Sequence, residues 1–231
     1  MSTITTATTA CLIGLLCVLA ADPGAAQSPE AMKAATAGLP FAEGTADAGA
    51  VKAATCLACH GPSGNSINPL WPKLAGQSAV YTAEQLRLFK AGVRVNAVML
   101  GMANTLSDKD IDNVAVYFQA QTTAGAEADP GLWQAGETLY RFGDIGRGIP
   151  ACTACHGPVG RGNTLAGYPA LRAQYGDYIA RQLNSFASGS RYAPAKPGAP
   201  SSRNGYMMET IAKRLTSDDI KHVAAYIQGM R

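Results

Sequence analysis

Apolar residues recur along this chain at helical spacing, and no strand-like alternation stands out. Leu86 and Phe89 follow Tyr81 much as Leu183 and Phe186 follow Tyr178. Residues three or four apart share one side of a helix, so amphipathic helices are predicted to begin near Tyr81 and Tyr178. Ile111, Val114 and Tyr117 form a further stripe, matched by Ile220, Val223 and Tyr226. Ser107 and Thr216 stand before those stripes, with Asp110 and Asp219 three residues on, the pattern of a capped helix start. Leading helices are predicted around 46–55, which is short and Ala-rich, and around 131–142, which carries Leu132, Leu139 and Tyr140. The fold class read from this pattern is all-α.

The stripes belong to an internal repeat. Pro72-Lys-Leu-Ala-Gly-Gln77 returns as Pro169-Ala-Leu-Arg-Ala-Gln174, and the elements around Leu106 and Leu215 also match. Two tandem copies of one domain account for this. The expected division is a first domain at 45–121, a linker at 122–130 rich in Ala, Gly, Thr and acidic residues, and a second domain at 131–231.

Each copy holds one Cys-x-x-Cys-His pentad, at 56–60 and 152–156. That spacing is the attachment signature of haem c. Cysteines at i and i+3 share a helical face where both thiols can bond to haem vinyl groups, and the histidine at i+4 lies on the same face. Cys56, Cys59, Cys152 and Cys155 are thus the covalent anchors, with His60 and His156 as proximal iron ligands. The remaining cysteines, Cys11 and Cys17, lie in the N-terminal segment. A thioredoxin-type pair would need a strand-helix-strand setting, and two Cys-Cys-His triplets lack a fourth zinc ligand.

A second axial ligand should recur in both copies. His222 has Asn113 as its counterpart and reads as an exposed helix residue. Met99 and Met208 each precede their Leu by seven residues, in matching register, with Met102 and Met207 as alternatives. A neutral thioether stabilises ferrous iron and raises the reduction potential. Pro72 and Pro169 follow the histidines by 12 and 13 residues, where carbonyls could accept from imidazole Nδ1–H. Plain turn prolines fit that spacing equally well.

Charge and targeting add less. The apolar run at 10–21 is too short to span a bilayer, and Gly24, Ala25 and Ala26 offer small residues for cleavage, so 1–26 reads as a secretory signal peptide and 27–44 as a leader. No basic residue precedes Lys33. Residues 27–125 carry seven basic and seven acidic side chains, and 126–231 carry twelve and eight. The second half is the better candidate for docking an acidic redox partner, and by the same count its haem should have the higher potential. Nothing suggests nucleic acid.

With both pentads, the Pro-x-Leu-x-x-Gln elements and the Met-x6-Leu approach to each last helix, the chain resembles the cytochrome c4 family over 45–231. The resemblance implies two class I cytochrome c domains, each around a covalently bound haem c. It also implies His60/Met99 and His156/Met208 as iron ligands, carbonyls of Pro72 and Pro169 accepting from the histidines, and two haems close enough to exchange electrons. Family members are periplasmic or loosely membrane-associated carriers between a donor of the quinol–cytochrome c reductase type and a terminal oxidase or other reductase. The competing reading is a haem-bearing subunit of a dehydrogenase complex, such as a flavocytochrome sulfide dehydrogenase or an alcohol dehydrogenase. An enzyme of its own, such as a dihaem peroxidase or thiosulfate dehydrogenase, would keep an open iron or a different ligand. The second half departs from the first by 13 more residues between His and Met, around 193–202, a Pro/Ser-rich stretch that could shape docking near the second haem.

Overall fold

A computed structural model describes residues 44–194 and 197–230. The expected signal peptide and all but the last residue of the expected leader lie outside the described residues.

Each half repeats one helical order. The first has α1 (Ala46–Ala53), α2 (Leu57–His60), α3 (Ala79–Lys90), α4 (Ala97–Asn104) and α5 (Asp108–Gln119). The second has α6 (Trp133–Phe142), α7 (Thr153–His156), α8 (Gly176–Ala187), α9 (Gly205–Ala212) and α10 (Ser217–Gly229). The described residues hold no strand, only the isolated bridges Arg94–Tyr192, Asp144–Ile149 and Asn163–Tyr168.

The two terminal helices start as their sequences dictate. Ser107 and Thr216 accept from the amides of Asp110 and Asp219, whose carboxylates accept from the Ser107 and Thr216 amides in return. The middle helices begin two residues before the predicted points. Gln119 and Gln228, from the terminal helix of each half, accept the first amides of α3 and α8, those of Ala79 at 2.8 Å and Gly176 at 2.9 Å. A long-range side chain thus caps what local sequence leaves open.

Ile111, Val114 and Phe118 of α5 pack on Ala53, Ala83 and Leu86, and Leu139, Tyr140, Ile179, Val223 and Ile227 form the second core. Leu86 and Phe89 are buried, whereas their counterparts Leu183 and Phe186 are only half-buried. In both halves the leading helix crosses the terminal one at a glycine. A Cβ on Gly49 would lie 2.1 Å from the Asn113 carbonyl oxygen, and one on Gly136 would lie 2.0 Å from that of His222. Backbones approach this closely only where no side chain intervenes.

The stretch at 122–130 is tied to both halves: Gln228 of α10 donates to the Glu127 carbonyl at 2.5 Å, and the start of the stretch is held by the first half. Asn65 donates to the Thr122 carbonyl at 3.0 Å and accepts from the Ala124 amide at 2.7 Å, and Lys73 Nζ donates to the Ala124 carbonyl at 2.6 Å.

Candidate functional site

Both pentads form one helical turn. The amides of His60 and His156 donate to the carbonyls of Cys56 and Cys152, each at 2.9 Å, which brings two sulfurs and an imidazole to one face. Glycine stops the turn each time, with φ of 76° at Gly61 and 77° at Gly157. A Cβ on Gly61 would lie 2.2 Å from the Asn65 carbonyl oxygen, so the position after the first histidine tolerates nothing larger.

Both histidines are buried, and each is held by a carbonyl. His60 Nδ1–H donates to Pro72 at 2.8 Å, and His156 Nδ1–H to Pro169 at 2.9 Å. A carbonyl only accepts, so the proton sits on Nδ1 and the Nε2 lone pair is left for a metal. Burial lowers the pKa of both rings more than these carbonyls raise it, which keeps them neutral. Burial also pushes up the thiols of Cys56 and Cys152, the latter to about 11. Such sulfurs suit an uncharged thioether far better than a thiolate-metal or redox-active pair. Among the described residues no group of three or more His, Cys, Asp and Glu is placed to hold a metal ion.

Met99 is the third residue of α4, and it packs on the first core with its amide capped by Asn96 at 2.9 Å. Met208 is the fourth residue of α9. Both are half-buried, as is Met102, while Met207 is exposed. His222 is half-buried rather than exposed, because α6 crosses over its backbone at Gly136.

A second cluster lies where the halves meet, and the sequence reading missed it. Arg94 and Arg191 are 9% and 5% exposed. Arg94 donates to Tyr178 Oη at 3.0 Å and to Gln182 at 3.1 Å across the boundary, and to Gln85 at 3.0 Å in its own half. Arg191 donates to Tyr81 Oη at 2.9 Å across the boundary and to Gln182. Each guanidinium covers its own phenylalanine, Phe89 at 4.4 Å and Phe186 at 4.5 Å. Among the described residues neither has a carboxylate partner in ion-pair range. Two buried cations without a carboxylate partner are expensive to desolvate, and here tyrosine and glutamine oxygens and aromatic faces take up the guanidiniums. The signal was available: each Arg stands five residues after its Phe in both copies.

Comparison with known proteins agrees with this geometry. Residues 134–231 match the family model described as cytochrome c, and residues 44–118 match that of cytochrome c oxidase, cbb3-type, subunit III. The chain is 44% identical over 202 residues to cytochrome c4 of Azotobacter vinelandii, covering 84% of this chain and 92% of that one. It is 39% identical to a thiosulfate dehydrogenase electron acceptor of Thiomonas intermedia, covering 76% and 78%. Among solved structures, reduced recombinant cytochrome c4 from Pseudomonas stutzeri superposes with a TM-score of 0.74 at 42% identity, covering 81% of this chain and all of that one. The thiosulfate dehydrogenase of Marichromatium purpuratum gives 0.68 at 31% identity, covering 79% of this chain and 40% of that one.

Proposed function

From a chain that belongs to the cytochrome c4 family, with two covalently bound haem c groups and an electron-transfer role, we propose an exported, periplasmic carrier linking respiratory donors to a terminal oxidase or reductase. Cys56, Cys59, Cys152 and Cys155 anchor the haems by thioether bonds. His60 with Met99, and His156 with Met208, ligate the two irons. When bound, each haem supplies a one-electron ferric–ferrous couple. The protein's own groups do the rest. The Pro72 and Pro169 carbonyls hold the imidazoles in one tautomer and orientation. Arg94 and Arg191, buried without a carboxylate partner among the described residues, are the residues that would balance the acidic groups of a bound haem. Tyr81, Tyr178, Gln85 and Gln182 keep the guanidiniums aimed.

The observation that carries this reading is symmetry. Both halves offer the same neutral, carbonyl-held histidine and a methionine at the matching point before the terminal helix. An enzyme would need one half to differ at the iron. Carbon monoxide difference spectroscopy on the fully reduced protein tests this, with no CO-bound haem expected. Binding at about one haem per chain would mean an open iron and overturn the carrier reading.

A second reading has its own support. The relative named as a thiosulfate dehydrogenase electron acceptor, and the match to part of a solved thiosulfate dehydrogenase, favour a haem-bearing partner of a dehydrogenase. Stable co-purification with such an enzyme would distinguish it from a free carrier.

A further inference from the structure

The two Pro-x-Leu-x-x-Gln elements are exchanged between the halves. Gln174 of the second half reaches the residue after Pro72, accepting from the Lys73 amide at 3.0 Å and donating to the Lys73 carbonyl at 2.9 Å. Gln77 of the first half does the same to the residue after Pro169, accepting from the Ala170 amide at 2.9 Å and donating to its carbonyl at 2.9 Å. Each glutamine oxygen also accepts from the next amide of its own chain segment, Ser78 at 2.9 Å and Tyr175 at 3.1 Å. The orientation of both side-chain amides is thereby fixed.

These bonds converge on two peptide units. In the Pro72–Lys73 peptide the carbonyl accepts from His60 while the amide donates to Gln174. In the Pro169–Ala170 peptide the carbonyl accepts from His156 while the amide donates to Gln77. A peptide whose N–H is hydrogen-bonded has a more basic carbonyl, because bonds in a chain polarise one another. A stronger acceptor on Nδ1–H gives the imidazole more anionic character and favours the ferric state of the iron it ligates.

We propose that Gln77 and Gln174 are positioning residues acting across the domain boundary, each tuning the proximal histidine of the opposite half. This rests on the reading of His60 and His156 as iron ligands. The two arms are unequal. Gln174 and Lys73 are buried, at 7% and 5% exposure, whereas Gln77 and Ala170 are half-buried. The stronger control therefore runs from the second half to the first.

The test is a half-resolved redox titration of the haem-loaded full chain, with NMR of each histidine Nδ1–H and amide exchange at Lys73 and Ala170. Gln174→Leu should raise the first half's reduced-to-oxidised ratio at the wild-type midpoint by about threefold, the scale of weakening the His60 bond by the fraction that one neighbouring bond in a chain contributes. It should shift the His60 proton and speed exchange at Lys73, with smaller changes at the second haem. Gln77→Leu should do the mirror image more weakly. Gln174→Glu keeps an oxygen on the Lys73 amide and should leave the first potential at or below wild type. Tyr175→Phe is the control for a merely loosened interface, since it removes a different cross-boundary bond, to the Ser66 carbonyl at 2.6 Å. If Tyr175→Phe moves the first haem as far as Gln174→Leu, or if Gln174→Leu moves mainly the second haem, the proposal is wrong. If His60 and His156 show no redox-dependent shift in the unmodified protein, the ligand reading itself falls and takes the proposal with it.

Discussion

The first half reaches its pentad almost directly from α1, with two residues between Ala53 and Cys56. The second half places nine residues between Phe142 and Cys152. That extra chain is well tied down. Asp144 and Ile149 exchange backbone bonds of 2.8 Å each way, and Ile149 fills the second core. Arg147 joins Asp144 to Asp219 at the start of α10, and Arg214 donates to the Gly148 carbonyl. The two ends of the longer connection between α8 and α9 are pinned to the other half: Val95 donates to the Arg191 carbonyl at 3.1 Å, Ala193 to the Val93 carbonyl at 2.7 Å, and the Arg203 amide to Glu84 at 2.6 Å. The second half has therefore kept the helical frame, and described parts of its longer connections serve as ties. The helix crossing and the turn after each proline are shared, so they are where substitutions can compare the halves.

The largest effect is expected at the crossings. Alanine is better than glycine in a helix by about 1 kcal/mol. A Cβ about 2 Å from a backbone oxygen cannot be accommodated by a rotamer change, and such overpacking costs about 3 kcal/mol. Gly49→Ala and Gly136→Ala should each lose about 2 kcal/mol net in denaturant unfolding. Because the glutamine exchange and the arginine cluster lock the halves together, both variants should lower one shared transition. Two separated transitions in Gly136→Ala would show that the halves unfold independently.

A smaller contrast lies in the turn after each proline. Gly76 has φ of 69°, and its counterpart Ala173 adopts φ of 58°. A left-handed alanine costs about 1–2 kcal/mol. Ala173→Gly would recover this but lose about 0.8 kcal/mol of methyl burial and up to about 1 kcal/mol to chain entropy. The net change should fall within about 0.5 kcal/mol. Gly76→Ala takes on the same strain and also sets a Cβ 2.5 Å from Thr123 Oγ1, so it should cost about 1.5 kcal/mol. Equal losses in paired thermal melts of the two variants would refute the asymmetry.

The helices, the repeat and the pentads were legible because their signals are local: periodicity, capping boxes and a five-residue spacing. The glutamine of each Pro-x-Leu-x-x-Gln element was visible as a repeated letter, but its role was not, since its partner lies on the other copy. The same holds for Arg94 and Arg191, which pattern alone would place on a solvated face. Their burial also weakens the arithmetic of charge by half. Arg191 is counted with the second half yet faces Tyr81 of the first, while Arg141, Arg147 and Lys213 are paired with carboxylates. Their partners Glu137, Asp144, Asp219 and Glu209 belong to the same half, so these pairs leave its basic excess unchanged, and it is the burial of Arg191 that withdraws a charge from a docking partner. Gly49 and Gly136 gave no signal beyond a glycine inside a helix.

The smallest effect separates the two capping boxes. In the second half the Arg147 guanidinium, more than the Thr216 amide and hydroxyl, draws the Asp219 carboxyl down to about 2 against the opposing pull of burial. In the first half Asp110 is also lowered, chiefly by the Ser107 hydroxyl and amide, with Lys52 3.3 Å away as its cation. A carboxylate whose folded pKa lies below its unfolded value of about 3.9 adds stability above that value. That stability fades as pH falls from about 4 to about 2. Solvent screens pairs this close to the surface, so their contribution is small. Arg147→Met should therefore flatten the loss of stability between pH 4 and 2 in urea titrations and weaken the tie between the 143–151 loop and α10. Lys52→Met should change the acid limb less, because local capping rather than the lysine holds Asp110. An acid limb in Arg147→Met as steep as in the unmodified protein would mean that the capping threonine, not the arginine, sets the Asp219 carboxylate.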